Sequence, residues 1–394
     1  MEWVMPSQMA PIPTYSILNA NNQIEDPSQL TAAIPEADIV QWYKNMLTIN
    51  IMDTIMFDAQ RHGRVSFYMV SAGEEAIMIG SAAALGNGDV ITCQYREHGV
   101  FLQRGFTLKD FMSQLTANCN DPGKGRNMPN HYTGREKTGI HSVASTLGTQ
   151  IPHAVGAAYA LKLQDQADPT QEPRVGVAYF GEGAASEGDF HGALNMAATM
   201  ESPVIFICRN NGYAISTPAS EQYRGDGIAS RGIAYGIEAL RVDGTDIFAV
   251  YEATKEARRR AVEGRPILLE FMSYRISHHS TSDDSTAYRN PDDIAFWKGS
   301  QGNPIARLRQ YLVHKELWSD ELDVHTRKEI RRNVIRELTT AEKEKKPALK
   351  EIFTDVYAEL TDEAEYQREK LRELMKKYPA EYDVKDHVGG LESL

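Results

Sequence analysis

The stretch from Arg174 to Ser216 limits what this chain can fold into. An apolar run, Val175 to Phe180, reads as a buried strand and leads into the turn Gly181-Glu182-Gly183-Ala184-Ala185. A helical segment from Ser186 to about Met200 follows. A second apolar run, Val204 to Cys208, then ends in Arg209-Asn210-Asn211-Gly212-Tyr213. Strand, tight turn, helix, strand, tight turn is the order of a parallel β-α-β unit, so the spacing predicts an α/β fold with a parallel sheet. Ligands of such sheets bind beyond the carboxyl ends of the strands, and both turns therefore open on one crevice. There Glu182 offers a carboxylate, Asn211 an amide oxygen and Tyr213 a backbone carbonyl. Three hard oxygens suit Mg²⁺ shared between protein and phosphate.

A dinucleotide site needs Gly-x-Gly-x-x-Gly and an acid near the end of the next strand. Here Ser186 occupies the third glycine position, and Glu201 precedes the next strand instead of following it. An NAD-type site does not meet these requirements. Gly181-Glu182-Gly183 followed by Asn210-Asn211 resembles the thiamine diphosphate motif in its Gly-Glu-Gly form. The surrounding text, GEGAASEGD and CRNNGYAISTP, is similar to the α chains of thiamine-dependent branched-chain 2-oxo acid dehydrogenases. The likeness runs from about Ile12 to the last helices and includes FYMVSAGEEA, QYREHGV, TQIPHAVGAAYA, SEQYRGDGIASRG, VDGTDIFAVYEATKEARRRAV and YRISHHSTSDDSTAYR.

The resemblance implies the thiamine diphosphate-binding fold, a central parallel sheet flanked by helices, with residues in particular roles. Glu182, Asn211 and Tyr213 would hold Mg²⁺. Tyr95, Arg96, Ser145, Leu147, Gly183, Ala184, Arg209 and His279 would meet the cofactor. A potassium ion would rest on Ala144, Thr146, Thr149 and Gln150, although Ala144 and Thr146 replace the family's usual serine and proline. Those two positions keep the ion if they ligate through backbone carbonyls. Phe67, Gln94 and Tyr95, with Leu147, would line the substrate pocket. His279 is expected to be the catalytic residue that assists acyl transfer to a lipoyl group, a task suited to a proton affinity near neutral pH. Ser280 matches a serine phosphorylated by a dedicated kinase and reset by a phosphatase. Beside His279, Asp283 and Asp284, a phosphate would repel anionic partners or disorder the loop. The family's second phosphoserine falls at Asn290.

The resemblance further implies oxidative decarboxylation of branched-chain 2-oxo acids and reductive acylation of a lipoyl-bearing acyltransferase core. It implies a β chain, in an α2β2 assembly, without which the α chain is inactive. Within the class, the α chain of a pyruvate or acetoin dehydrogenase is the alternative, and a cofactor-free regulatory subunit is a more remote one. The eukaryotic family works in the mitochondrial matrix, while a bacterial cytoplasmic origin is the other reading. The first residues, MEWVMPSQMAPIP, are not an Arg-rich, acid-poor transit peptide, so a matrix protein would have lost its targeting segment.

Composition narrows the partners. A net charge of -12 argues against nucleic acid, and no apolar run approaches membrane-spanning length. Cys93, Cys119 and Cys208 are scattered and lack C-x-x-C spacing, which suggests a reducing compartment without structural zinc.

Three regions are expected: an extended N-terminal arm (1–35), the α/β domain (36–300, with a phosphorylation-type loop at 275–300) and a C-terminal helical extension (301–394). Glu36 to His62 reads as a core helix with Val40, Tyr43, Leu47, Ile51, Ile55 and Ala59 at helical spacing. Glu74 and Glu75 read as structural, His131 and His141 as ordinary polar residues, and Thr116 to Ser142 as a long loop near the site. Asp226 and Arg231 are expected to face a neighbouring chain, and PALKEIFTDVYAEL to be an amphipathic segment of the helical extension.

Overall fold

Side chains of successive strand residues point to opposite faces of a sheet, and that alternation sorts this molecule into two packed layers. The computed structural model describes residues 1, 3, 5 and 8–394. Its six-stranded sheet contains β1 (Thr14–Tyr15), β2 (Val90–Thr92), β3 (Gly176–Gly181), β4 (Val204–Asn210), β5 (Glu238–Asp243) and β6 (Ile267–Met272). The spatial order is β1-β5-β6-β4-β3-β2. Every neighbouring pair is parallel. Parallel sheets are covered on both faces, which is why the central strands read as unbroken apolar runs.

On one face Ala178, Phe180, Phe206, Cys208 and Leu268 pack with α3 (Gln150–Ala167) and α4 (Gly188–Met200). On the other, Val177, Tyr179, Ile205, Ile207, Leu269 and Phe271 pack with α1 (Glu36–Arg61), α2 (Glu75–Ala83) and α5 (Ile247–Ala261). The small residues of α3 allow a close approach to the sheet. A Cβ on Gly176 would lie 2.5 Å from the Ala154 carbonyl oxygen and 2.8 Å from the Ala158 Cβ. The helix expected from Ser186 starts at Gly188, because Ala184–Ser186 form a tighter turn and Glu187 is extended.

Helix α1 is enclosed on more sides than its apolar spacing suggests. Trp42, Met46, Ile49, Met52 and Met56 are buried, whereas Val40 and Ile51 are only half-buried. The N-terminal arm is more than an extended tail, since Thr14–Tyr15 add a strand to the sheet edge. One carboxylate pins it: the amides of Ile17 and Leu18 donate to Asp246 Oδ2 at 2.7 and 2.6 Å, while Asp246 Oδ1 caps α5. Asp226, expected to face a neighbouring chain, accepts from Ile12 N at 2.7 Å and pairs with Arg241 at 2.8 Å. Arg231 likewise turns inward, with Nη1 donating to the Ala185 carbonyl.

Helices α6 (Pro304–His314) and α7 (Asp320–Ala341) contribute Ile305, Leu308, Leu312, Val334 and Leu338 to the main core. A separate small cluster, Leu349, Met375 and Leu394, forms only beyond them, with α8 (Asp362–Lys377). PALKEIFTDVYAEL does not form the expected helix. It contains a single 3-10 turn, Leu349–Ile352, and Asp355 has φ of +73°. In this conformation Glu351 and Asp355 meet Lys124 at 2.6 and 2.7 Å, and Asp355 also meets Arg126 at 3.0 Å.

Candidate active site

Four strands deliver side chains to one cavity at their carboxyl ends. Gln94, Tyr95 and Arg96 follow β2, and Glu182, Gly183 and Ala184 follow β3. Arg209 lies at the end of β4, with Asn211 and Tyr213 just beyond it, and Arg275 and His279 follow β6. Leu147, from the turn before α3, and Glu187 also contribute to the wall.

Beneath the cavity lies a buried ionic network. The Arg209 guanidinium contacts Glu97 Oε1 through Nε and Nη2, each at 2.5 Å, and Glu74 Oε2 through Nη1. Glu74 Oε1 accepts from Asn211 Nδ2 at 2.9 Å. That bond sets the Asn211 amide, whose Oδ1 receives the Tyr213 amide at 3.2 Å. Burial works to raise the Glu74 carboxyl, but Arg209 and Arg96 outweigh it and its pKa lies below the ordinary value. Arg209, expected at the cofactor, thus points all three guanidinium nitrogens at carboxylates, and its contact with the network is what holds Asn211.

Glu182 carries an unpaired oxygen into the cavity wall. Its side chain is 1% exposed; Oε2 accepts from Asn211 N at 3.3 Å, while Oε1 has no hydrogen-bond partner among the described residues. Burial pushes its pKa up to about 7, with the Glu74 charge adding to the rise. Buried carboxylate oxygens are normally paired, so an unpaired one marks a place for a cation. No group of three or more His, Cys, Asp or Glu among the described residues could hold a metal. The donor set is instead one carboxylate, one amide oxygen and the Tyr213 carbonyl, which fits Mg²⁺ completed by phosphate oxygens. Gly183 leaves no room for a side chain there, since a Cβ would lie 2.6 Å from the Ala214 Cβ.

His279 sits between two guanidiniums. Its Nδ1 is 3.2 Å from Arg96 Nη2 and 3.4 Å from Arg275 Nη1, and its backbone amide donates to Asp283 Oδ2 at 2.7 Å. Burial, then Arg96 and Arg275, push its pKa down to about 3. The expectation of a proton affinity near neutral pH therefore does not hold in this pocket: the imidazole is neutral. Because guanidinium nitrogens only donate, Nδ1 accepts and the ring proton is on Nε2.

Residues 43–350 match the family model described as dehydrogenase E1 component. The chain belongs to this family. It is 49% identical over 388 residues to the 2-oxoisovalerate dehydrogenase subunit alpha, mitochondrial, of Mus musculus, covering 98% of this chain and 86% of that one. The protein of the same name from Caenorhabditis elegans is 48% identical over 394 residues, covering 100% and 88%. That from Dictyostelium discoideum is 50% identical over 375 residues, covering 95% and 83%.

The remaining expected positions of this E1 chain are distributed unevenly. Ser145 is exposed, with Oγ 2.9 Å from His131 Nε2. His131 thus belongs to the site's surroundings, contrary to its reading as an ordinary polar residue. Ala144 and Thr146 are exposed, and the Thr149 hydroxyl donates to the Thr146 carbonyl at 3.0 Å. Gln150 turns toward the sheet: Nε2 donates to the Tyr179 carbonyl at 3.1 Å, and its own carbonyl accepts from Thr92 Oγ1 at 2.8 Å. Phe67 is half-buried and does not line the cavity, whereas Gln94, Tyr95 and Leu147 do. The Thr116–Ser142 loop divides, with Lys124 and Arg126 paired to the C-terminal segment and His131 reaching the site.

Ser280 is buried, its Oγ accepting from Ser282 N at 3.2 Å. Its loop is threaded by Arg289, which donates to the carbonyls of Arg275 and Ser277 and, at 2.6 Å, to Ser285 Oγ. Asn290 caps the helix Pro291–Lys298 by accepting from Asp292 N at 3.0 Å. Sequence reasoning assigns no site role to Glu97, Arg275 or Arg289. Only the QYREHGV and YRISHH blocks hint at the first two, because their partners are far away in the chain.

Glu75, read as structural, carries a pH signature. Its side chain is buried and accepts from Asn50 Nδ2 at 3.0 Å and Gly73 N at 2.8 Å. Burial raises its pKa from 4.5 to about 7. Between those values the folded state keeps a proton that the unfolded chain has lost, so stability falls as pH rises through this window. The gross penalty above it is roughly 3 kcal/mol. Glu75→Gln loses one acceptor, costing about 1 kcal/mol, and is expected to be about 2 kcal/mol more stable than the parent at pH 8. Urea midpoints at pH 5 and pH 8 check this; an unchanged pH slope in the variant would contradict it.

Proposed function

We propose that this chain is the α subunit of a thiamine diphosphate-dependent 2-oxo acid dehydrogenase acting on branched-chain 2-oxo acids. The observation that carries this reading is the unpartnered, buried Glu182 Oε1 beside an Asn211 amide held by Glu74, at the strand ends of an E1-family fold. The names of the relatives support the substrate class.

Glu182, Asn211 and the Tyr213 carbonyl hold Mg²⁺, while Tyr95 and Arg96 hold the diphosphate, Arg96 offering a planar guanidinium suited to phosphate oxygens. Arg209 acts through Glu74. Leu147, Gly183 and Ala184, with Ser145 two residues before Leu147, face the rest of the cofactor, and Gln94 and Tyr95 the substrate. Thiamine diphosphate, when bound, supplies the electron sink for decarboxylation. His279 keeps its proton on Nε2, where this N–H can donate a hydrogen bond to the sulfur released from the lipoyl disulfide and steady its negative charge. Potassium rests on the main chain around Ala144 and Thr146, with Thr149.

A β chain completes an α2β2 enzyme, and a lipoyl-bearing acyltransferase receives the acyl group. The relatives' names, which say mitochondrial, support a mitochondrial location, and no helix among the described residues is long and apolar enough to cross a membrane.

The test is oxidative decarboxylation by the chain copurified with its partner, with thiamine diphosphate and Mg²⁺. Preference for 3-methyl-2-oxobutanoate or 4-methyl-2-oxopentanoate over pyruvate is expected. A pyruvate preference would move the chain to a sister complex, and no turnover at all would overturn the reading. A kinase and a phosphatase acting on Ser280 complete the proposal. The hydroxyl is buried, so modification must open the loop. Ser280→Glu is expected to lose at least about tenfold in turnover of a lipoyl-domain acceptor, through like-charge repulsion and loss of loop order. Full activity of that variant would refute the regulatory role.

A further inference from the structure

We propose that His131 is a positioning residue that holds the Ser145 hydroxyl as a hydrogen-bond acceptor toward the ligand; this rests on the function proposed above. His131 is 5% exposed, and its two ring nitrogens have different partners. Nδ1 lies 3.0 Å from the Pro129 carbonyl oxygen and Nε2 lies 2.9 Å from Ser145 Oγ. A carbonyl oxygen only accepts, so Nδ1 carries the proton and Nε2 has the free lone pair. The Ser145 hydroxyl must then donate to Nε2. Its proton is committed to the histidine, which leaves its own lone pairs free to accept, and the residue is exposed two positions before Leu147 of the cavity wall.

Ser145 with this polarity pairs with a donor on the ligand and refuses a phosphate oxygen. That division matches the cavity, whose guanidiniums, Arg96 and Arg275, already supply donors for phosphate. The imidazole is held by more than one contact. Asn130 is in the left-handed region, with φ of +67°, a conformation that the surrounding structure must enforce. Its Oδ1 accepts from Met69 N at 3.0 Å. Asn127 Nδ2 donates to the His131 carbonyl at 3.1 Å, and the imidazole lies 6.3 Å from the Tyr95 ring, which lines the cavity.

The experiment is a double-mutant cycle on the copurified αβ enzyme, reading the thiamine diphosphate concentration for half-maximal activity together with KM for the 2-oxo acid. Ser145→Ala and His131→Phe are each expected to raise the cofactor requirement about tenfold, the scale of one hydrogen bond. The double variant is expected to be no worse than either single one, with KM nearly unchanged. Ser145→Thr, which keeps the hydroxyl, should recover most of the affinity. Multiplicative losses, or a wild-type requirement in either single variant, would overturn the proposal. If His131→Phe does not fold, nitrogen shifts of isotope-labelled His131 in the unmutated enzyme decide: proton on Nδ1 is required, and proton on Nε2 overturns it. Failure of the wild-type enzyme to require Mg²⁺ and thiamine diphosphate would sink the functional reading itself, which these variants leave untouched.

Discussion

Arg209→Met is expected to lower the stability of the chain by about 3–5 kcal/mol, the usual cost of removing one partner from a buried ion pair. The reason is local. Arg209 is 2% exposed and stands between Glu74 and Glu97, both fully buried or nearly so. Methionine fills much of the volume but leaves Glu97 without its cation and Glu74 with only Arg96 at 3.9 Å, and burial then drives both toward protonation. The loss should therefore be greater at pH 8 than at pH 5, because acid neutralises the uncovered carboxyls. Adding Glu74→Gln to the variant should return part of the stability, because one of the two carboxylates left by the lost guanidinium is then uncharged. Denaturant unfolding at both pH values, on chain copurified with its partner, checks the prediction. A loss below about 1 kcal/mol would mean that water or a rearranged neighbour replaces the guanidinium.

Glu182→Gln is expected to have the largest effect on function. The amide keeps the shape but removes the charge that Mg²⁺ needs, while Asn211 and the Tyr213 carbonyl remain. A ligand present at about 1,000 times its Kd stabilises a protein by roughly 4 kcal/mol. That increment, measured as the thermal shift on adding Mg²⁺ and thiamine diphosphate together, should be nearly absent in the variant. Turnover should fall by about 10³-fold, since the metal both anchors the cofactor and neutralises its phosphates. The ligand-free variant should be at least as stable as the parent above pH 7, because it no longer buries an ionisable carboxylate there. A large thermal shift retained by Glu182→Gln would move the metal elsewhere.

Much of this site is legible in the amino-acid sequence. Glu182, Asn211 and Tyr213 lie in turns that directly follow two strands of one β-α-β unit, and local order is what a sequence reports well. Asn211 can be assigned a metal oxygen from its position, but not the reason its oxygen faces the site. That reason is Glu74, 137 positions away in the chain. The same holds for Arg209, legible as a basic residue at a strand end, whose side chain is claimed by Glu74 and Glu97. His279 stands out by the likeness of its loop. Its low proton affinity follows from burial between Arg96 and Arg275, and no pattern within the loop encodes that.

By itself, then, the sequence determined the class of fold, the central β-α-β unit and the turn residues that carry the metal donors. Apolar periodicity, tight-turn chemistry and strand-end position are local properties, set by neighbours a few residues apart. Tertiary structure alone decided which buried charges pair, which proton sits on which imidazole nitrogen, and that PALKEIFTDVYAEL is irregular where it meets Lys124 and Arg126. The buried pairs and the imidazole protons depend on groups brought within a few ångströms by distant parts of the chain, in an interior where charges interact strongly.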